Sequence, residues 1–191
     1  MKNNKTNTNL INIETLVSKL KTEDNRNLRI LKFSKQLMWS IVILYSLMLI
    51  IQSFNQLNFH RTIGTACILI AFIFLAMYYK RSFMIFQNVD YGMPTLLLLK
   101  DAVNRYTFTK NKLFQKNTIL FGIGISLTVI GFNLLLFNSL GFYEPIHRLL
   151  IINSVYLFLL ILGGISGFLI WFKRHKPIRD NARNLIKEIE S

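Results

Sequence analysis

The chain has few residues of several kinds, and each shortage excludes a class of protein. It has one cysteine, Cys67, so it can form no disulfide within the chain and has no CxxC pair for a metal or redox centre. Acidic residues number only 9 against 23 Lys and Arg, and no HExxH, G-x-S-x-G or paired-carboxylate motif is present. We therefore expect no enzyme, no catalytic residue, no metal site and no cofactor.

Charged residues are missing from four long stretches. Residues 37–54, 62–79, 118–140 and 149–172 contain no Asp, Glu, Lys, Arg or His. About 17–25 apolar residues cross the hydrocarbon of a bilayer as a helix, at about 1.5 Å per residue. A backbone without water partners must be helical there. The sequence therefore predicts an all-α integral membrane protein with four transmembrane helices, and the lipid bilayer as its first partner.

The basic residues are concentrated on one side of these stretches. Residues 1–35 carry 8 Lys and Arg, residues 80–116 carry 7 and residues 173–191 carry 6, whereas the short connections hold only Arg61 and Arg148. Because basic loops stay in the cytoplasm, both termini and the middle loop are predicted there. This topology explains the basicity, and no nucleic-acid-binding motif accompanies it, so no nucleic acid is expected as a partner. The resulting division is a cytoplasmic amphipathic N-terminal segment (1–36), a first transmembrane hairpin (37–79), a cytoplasmic helical loop (80–117), a second transmembrane hairpin (118–172) and a cytoplasmic amphipathic C-terminal helix (173–191).

The middle loop contains VDYGMPTLLLLKDAVNRYTFTKNK, which is too short and too polar to span. At 100° per residue its apolar residues fill one arc, which predicts a helix lying flat or docked. Asp101 and Arg105 form an i,i+4 pair on the opposite, wet face. The predicted cytoplasmic docking face consists of Leu96, Leu99, Val103 and Tyr106.

Two other segments have the same amphipathic character. One apolar stripe includes Leu16 and Leu20 near the N-terminus, and another includes Ile178 and Ala182 after Pro177. Three cytoplasmic amphipathic helices would either assemble into a small cap or lie separately on lipid. The sequence leaves both arrangements open.

The third and fourth spans carry small-residue faces. Gly124 and Thr128 stand four apart in one, and Gly163 and Gly167 make a GxxxG in the other. Such faces let helix backbones approach closely, so we expect these two faces to pack together. The same face would equally make a homo-oligomer.

The two halves of the chain echo each other. TLVSKLKTEDNRNLRILKFSK and TLLLLKDAVNRYTFTK both run TL, an LK pair, an Asp, an NR pair and F-[ST]-K before a span. A duplication of two hairpins would give this pattern. Chance would also give it, and so would basic residues placed beside each span to set its orientation.

The stretch VDYGMPTLLLLKDAVNRYTF resembles a D-Y-x-[LM]-P-T-x-x-x-L-[KR]-x-A-x-x-R-Y pattern in small bacterial four-helix integral membrane proteins of uncharacterised function. It departs from that pattern in having leucines where polar residues are usual. Because such proteins are sometimes encoded beside alternative sigma factors, the resemblance implies a signalling or regulatory setting in a bacterial inner membrane, and it supplies no catalytic residue. The matching residues are Asp90, Tyr91, Pro94, Thr95, Leu99, Lys100, Ala102, Arg105 and Tyr106.

Together these patterns favour a non-enzymatic inner-membrane scaffold or signalling protein. Its helical cytoplasmic face would be presented to a cytoplasmic protein partner. The alternative is a small oligomeric channel or transporter. Its spans lack any charged residue, which argues against a proton-coupled pump.

Overall fold

The structure is a computed structural model that describes residues 2–54, 59–107, 112–136 and 145–190. Four of its helices are long and apolar enough to cross a membrane. The prediction of an all-α chain with four helices of that kind is confirmed. The elements within the described ranges are α1 (Lys2–Phe54), α2 (Phe59–Gln87), α3 (Thr95–Tyr106), α4 (Lys112–Leu136), α5 (Pro145–Ile170), a π-helical turn (Trp171–His175) and α6 (Lys176–Glu190).

The first two helices run past the boundaries expected from hydropathy. α1 has no break at residue 36, where the amphipathic segment meets the apolar run. No glycine or proline occurs between residues 2 and 54, so nothing in the sequence interrupts the backbone hydrogen bonds of the helix. α2 likewise continues to Gln87, so residues 80–87 of the expected loop are helical.

The last span and the C-terminal segment are joined by a π-helical turn. The N–H of Lys176 donates to the carbonyl of Trp171, five residues earlier. Pro177 follows at once, and it has no N–H to donate to the preceding turn. A single wide turn accommodates such a break without ending the helix. α6 therefore continues directly from α5.

Two glycines bring α2 and α4 into close contact. A Cβ built on Gly64 would lie 2.8 Å from the nitrogen of Leu135 and 2.9 Å from the oxygen of Gly131. A Cβ on Gly131 would lie 2.5 Å from Cγ1 of Ile68 and 2.9 Å from the oxygen of Gly64. Neither position has room for a side chain. This pair therefore sets the distance between the two helices.

α2 also packs against α1, whereas α5 is the least enclosed span. The rings of Tyr45 and Phe72 stack between α1 and α2 with centroids 5.7 Å apart. In the most apolar window of the last span, 0% of the residues are buried. Hydrogen bonds between side chains connect α5 to α4. Asn133 Nδ2 donates to Asn153 Oδ1 at 3.0 Å, and the hydroxyls of Thr128 and Tyr156 are bonded to each other.

The three amphipathic segments pack against one another at one end of the spans. We call this unit the cap, and it comprises residues 13–35, 88–107 and 171–190. α3 packs against both α1 and α6, so apolar residues are buried on two sides of it. This arrangement explains the leucine run: Leu98 and Leu99 are 2% and 1% exposed, whereas Leu97 is 54% exposed. The buried core of the cap is Leu16, Leu20, Leu98, Leu99, Ala102, Tyr106, Ile178 and Ala182.

Candidate functional site: a buried carboxylate in the cap

Asp24 of α1 lies at the polar centre of the cap, where its side chain is 1% exposed. The hydroxyl of Tyr106 donates to its Oδ1 at 2.5 Å, and that of Tyr91 donates to its Oδ2 at 2.6 Å. Arg105 Nη2 donates to the same Oδ2 at 3.1 Å. A buried carboxylate is costly unless it is paired and hydrogen-bonded. Here both oxygens have donors.

Arg105 differs from its sequence-based placement. It was expected on the wet face of α3 in a pair with Asp101. The bond from Nη1 to Asp101 is present, but the guanidinium turns inward and the side chain is 3% exposed. The reason is Asp24, 81 positions earlier in the chain, which a pattern read along one helix cannot include. The Nε of Arg105 is buried without an acceptor among the described residues.

The two tyrosines act as hydrogen-bond donors to this carboxylate. Burial raises the pKa of both Tyr91 and Tyr106, and the hydrogen bond to Asp24 and its charge raise the two pKa values further. The charge of Arg105 opposes these effects for both groups. Both phenols therefore remain protonated well above neutral pH, and each keeps the proton that it donates.

The π-helical turn places two further rings against Tyr106. Trp171 Nε1 donates to the backbone oxygen of Tyr106 at 3.3 Å, and the ring of His175 lies 5.0 Å from the tyrosine ring. Burial lowers the pKa of His175. The charges of Glu23 and Asp24 act to raise this pKa, and the charge of Arg174 acts to lower it further. The wide turn therefore connects the last span to the carboxylate centre.

The predicted docking face lies inside the cap. Leu99 and Tyr106 are buried, and Leu96 and Val103 are half-buried. Val103 packs beside Leu99 and Ala182 of α6. The face therefore makes contacts within the chain, and it does not form an outer surface.

Three residues of the motif that resembles bacterial membrane proteins share one target. Tyr91, Arg105 and Tyr106 all bond to Asp24, which lies outside that motif. Sequence reasoning missed Asp24. The signal that could have found it is the unmatched donor set, because Tyr91 before α3 and Arg105 and Tyr106 on α3 are donors that need an acceptor once they are buried.

The small-residue faces of the spans do not meet within the chain. A Cβ on Gly124 would lie 2.9 Å from the Leu75 side chain of α2, so α2 covers Gly124. Thr128 is buried, and its hydroxyl bonds to Tyr156. A Cβ on Gly163 or Gly167 would have no neighbour within 4 Å in the described part of the chain. The Gly64–Gly131 contact explains the difference, because it aligns α4 with α2.

The carboxylate centre joins α1, the turn before α3, and α3 itself. Asp24 is enclosed and its oxygens are engaged. In the described ranges, no group of three or more His, Cys, Asp or Glu is placed to hold a metal ion. No protein-family model, curated protein or solved structure matches the chain. Any proposal about function therefore rests on the contacts within the cap and on the packing of the long apolar helices.

Proposed function

We propose that the chain is a non-enzymatic scaffold or signalling protein of a bacterial inner membrane, with four spans and both ends in the cytoplasm. The asymmetry of Lys and Arg supports this orientation, because the three basic regions hold all but Arg61 and Arg148 of the basic residues. The cap then lies in the cytoplasm and presents its outer surface to a soluble protein.

One observation carries this proposal: the apolar faces of the three amphipathic segments are directed at one another. Leu16, Leu99 and Ala182 form one cluster, and Leu20, Leu98 and Ile178 belong to another. Helices that merely rest on lipid would turn these faces outward to the bilayer. A core that is closed within the cap leaves a preorganised outer surface, which suits recognition of another protein.

The outer surface offers a polar cavity between α1 and α6. It has a volume of about 310 Å³ and opens between two faces of the cap. Residues 173–190 carry 6 basic and 3 acidic residues, so electrostatic complementarity favours a partner with an acidic surface. The lining residues are Thr15, Leu16, Lys19, Asn181, Asn184, Leu185 and Glu188.

The test is capture of a soluble partner by the protein purified in mild detergent. Asn184 is exposed and lines the cavity, so Asn184→Trp should block it and abolish capture. Asn25 is exposed on another part of α1 and lines none of the described cavities, so Asn25→Trp should retain capture. Protease resistance of residues 88–107 reports whether each cap remains folded.

Two outcomes would overturn the proposal. Wild-type protein that captures nothing under these conditions would remove the partner. Equal capture by Asn184→Trp and wild type would remove the cavity as its binding site.

The alternative of a small channel has weaker support. Asn133 and Thr128 of α4 bond to Asn153 and Tyr156 of α5, so these polar groups serve contacts between helices. Ion flux through vesicles containing the purified protein would favour the channel over the scaffold.

A further inference from the structure

Two identical Lys-Arg pairs follow uncharged runs of the chain. Lys80 and Arg81 come directly after residues 62–79, and Lys173 and Arg174 come directly after residues 149–172. The second pair lies in the π-helical turn and lines a pocket of about 330 Å³ against α1, which we call the basic pocket. The first pair is exposed on α2, and it lines neither this pocket nor the cavity between α1 and α6. The same two residue types therefore stand in different surroundings.

The basic pocket gathers three cations. Lys19 of α1 lines it together with Lys173 and Arg174, and Glu23 is its one acidic lining residue. Three positive charges and one negative charge leave a formal charge of +2. Within the ranges that the structure describes, no salt bridge joins any of the three cations to a carboxylate. The three cations are therefore available to an anion from outside the chain.

The hydroxyl groups of the basic pocket are already engaged within α1. The hydroxyl of Ser18 donates to the carbonyl of Thr15 at 2.9 Å, and that of Thr22 donates to the carbonyl of Ser18 at 2.9 Å. Ile178 is the remaining lining residue, and its side chain is buried. The donors left for a ligand are therefore two ammonium groups and one guanidinium. Such groups bind phosphate oxygens through charge-assisted hydrogen bonds.

The position of the basic pocket selects the source of the phosphate. In the orientation proposed above, Lys173 is the first charged residue on the cytoplasmic side of the last span, so the pocket lies at the level of the lipid head groups. Anionic lipids of the cytoplasmic leaflet attract cations placed beside a span. We propose that the basic pocket binds the phosphate group of an anionic phospholipid, held by Lys19, Lys173 and Arg174. The bound lipid then bridges α1 and the turn after the last span.

This inference rests on the membrane insertion and orientation proposed above, and it does not depend on a protein partner. Lys19 also lines the cavity between α1 and α6, whereas Lys173 and Arg174 do not. Changes at positions 173 and 174 therefore test the lipid site without altering the lining of the cavity assigned to the partner. A protein that binds the lipid and captures no partner would retain this inference and lose the proposed scaffold.

Thermal unfolding of the full-length protein in a mild neutral detergent measures lipid binding. A ligand that binds only the folded state raises the unfolding midpoint. Phosphatidylglycerol at about ten times its dissociation constant should raise the wild-type midpoint by about 3–5 °C. Phosphatidylcholine, whose head group has no net charge, should leave it unchanged. The double variant Lys173→Gln, Arg174→Gln should lose most of the shift.

The matched control is the double variant Lys80→Gln, Arg81→Gln. It removes the same two side chains from the same position after an uncharged run, so it should keep the full shift. A second measurement needs no variant and is therefore unaffected by any change in folding. Acetylation of lysine in the wild-type protein, mapped by mass spectrometry, should slow at Lys19 and Lys173 when phosphatidylglycerol replaces phosphatidylcholine. Lys80, which is likewise exposed, should react at the same rate in both lipids.

Four results would overturn the inference. A midpoint that phosphatidylglycerol does not raise would remove the ligand. Equal loss of the shift in the two double variants, or equal slowing of acetylation at Lys80, would show only a diffuse attraction between basic residues and lipid. An equal shift with inorganic phosphate in place of the lipid would assign the basic pocket to a soluble phosphate compound.

Discussion

Asp24 of α1 and Arg105 of α3 form a buried ion pair across 81 positions of sequence, with side chains 1% and 3% exposed. Loss of one partner from such a pair leaves an unbalanced charge inside the protein, which typically costs about 3–5 kcal/mol. The pair lies where α1, α3 and the π-helical turn meet. It joins α1 to α3 beside that turn.

Replacement of Asp24 by alanine should open the cap. The variant removes the acceptor for Tyr91, Arg105 and Tyr106 together, so we expect a loss of about 3 kcal/mol or more in the stability of the cap. Limited proteolysis of residues 88–107 in mild detergent measures this loss. Asp101→Ala is the control: its partly exposed carboxylate contacts the same guanidinium, and the expected cost is about 0–1 kcal/mol. Equal protection of both variants would contradict the role assigned to Asp24.

Alanine at position 131 should separate α2 from α4. The added Cβ would lie 2.5 Å from the Ile68 side chain and 3.0 Å from the Ile68 nitrogen, and the backbone cannot yield without moving a helix. Overpacking of this kind costs about 1–3 kcal/mol. Thermal unfolding in detergent should therefore show a lower midpoint for Gly131→Ala. Gly122→Ala meets nothing within 4 Å and should keep the wild-type midpoint or exceed it; a shared decrease would point to an effect unrelated to this contact.

The stability of the cap should fall in mild acid because of His175. Its pKa is lowered by burial and, less strongly, by Arg174, against the opposing charges of Glu23 and Asp24. An opened cap therefore binds the proton more readily than the folded one. The folded cap therefore keeps its full stability above the ordinary histidine pKa of about 6.5. It becomes less stable as the pH falls below that value.

Protease resistance of the cap measured at about pH 7.5 and about pH 5.5 tests this dependence. His175→Gln should show a smaller decrease than wild type over that interval. His60→Gln, at an exposed position near the start of α2, should keep the full decrease. If His175→Gln and wild type respond alike, another group causes the acid sensitivity.

The proposed orientation predicts which positions an impermeant thiol reagent reaches. In a Cys67→Ser background, cysteines at Asn58 and Pro145 should react in intact cells, because the proposed orientation puts both positions outside. Asn25→Cys, in the cap, should react only after the membrane is permeabilised. Reaction of Asn25→Cys in intact cells would reverse the orientation. Reaction at all three positions would reject four spans.

The four long apolar helices were predictable because the evidence for them is local. A stretch without charges needs no partner in order to be recognised. The ends of the helices were less predictable, since hydropathy marks where apolar residues stop and not where hydrogen bonding stops. α1 passes residue 36, and α2 reaches Gln87, because neither encounters a glycine or proline at those points.

The centre of the cap required information from several segments at once. The helical pattern of α3 identified Leu99 and Tyr106 as inward residues, and both are buried. It assigned Arg105 to the wet face because the pattern treats every charge as solvated. Only the position of Asp24 on α1 makes burial of this arginine favourable. The glycine faces gave a similar result: the pattern identified Gly124, and the three-dimensional packing decided that α2 covers it.

The order of the chain has a consequence for its biosynthesis. The core of the cap takes Leu20 from the first segment, Leu98 from the middle one and Ile178 from the last. A ribosome delivers these residues in that order, with two apolar hairpins between them. Until the last segment has been synthesised, Leu98 lacks Ile178, and Tyr106 lacks the rings of Trp171 and His175. The core of the cap therefore cannot be complete before the last segment is made, and a chain that ends earlier leaves these leucines without their full set of neighbours.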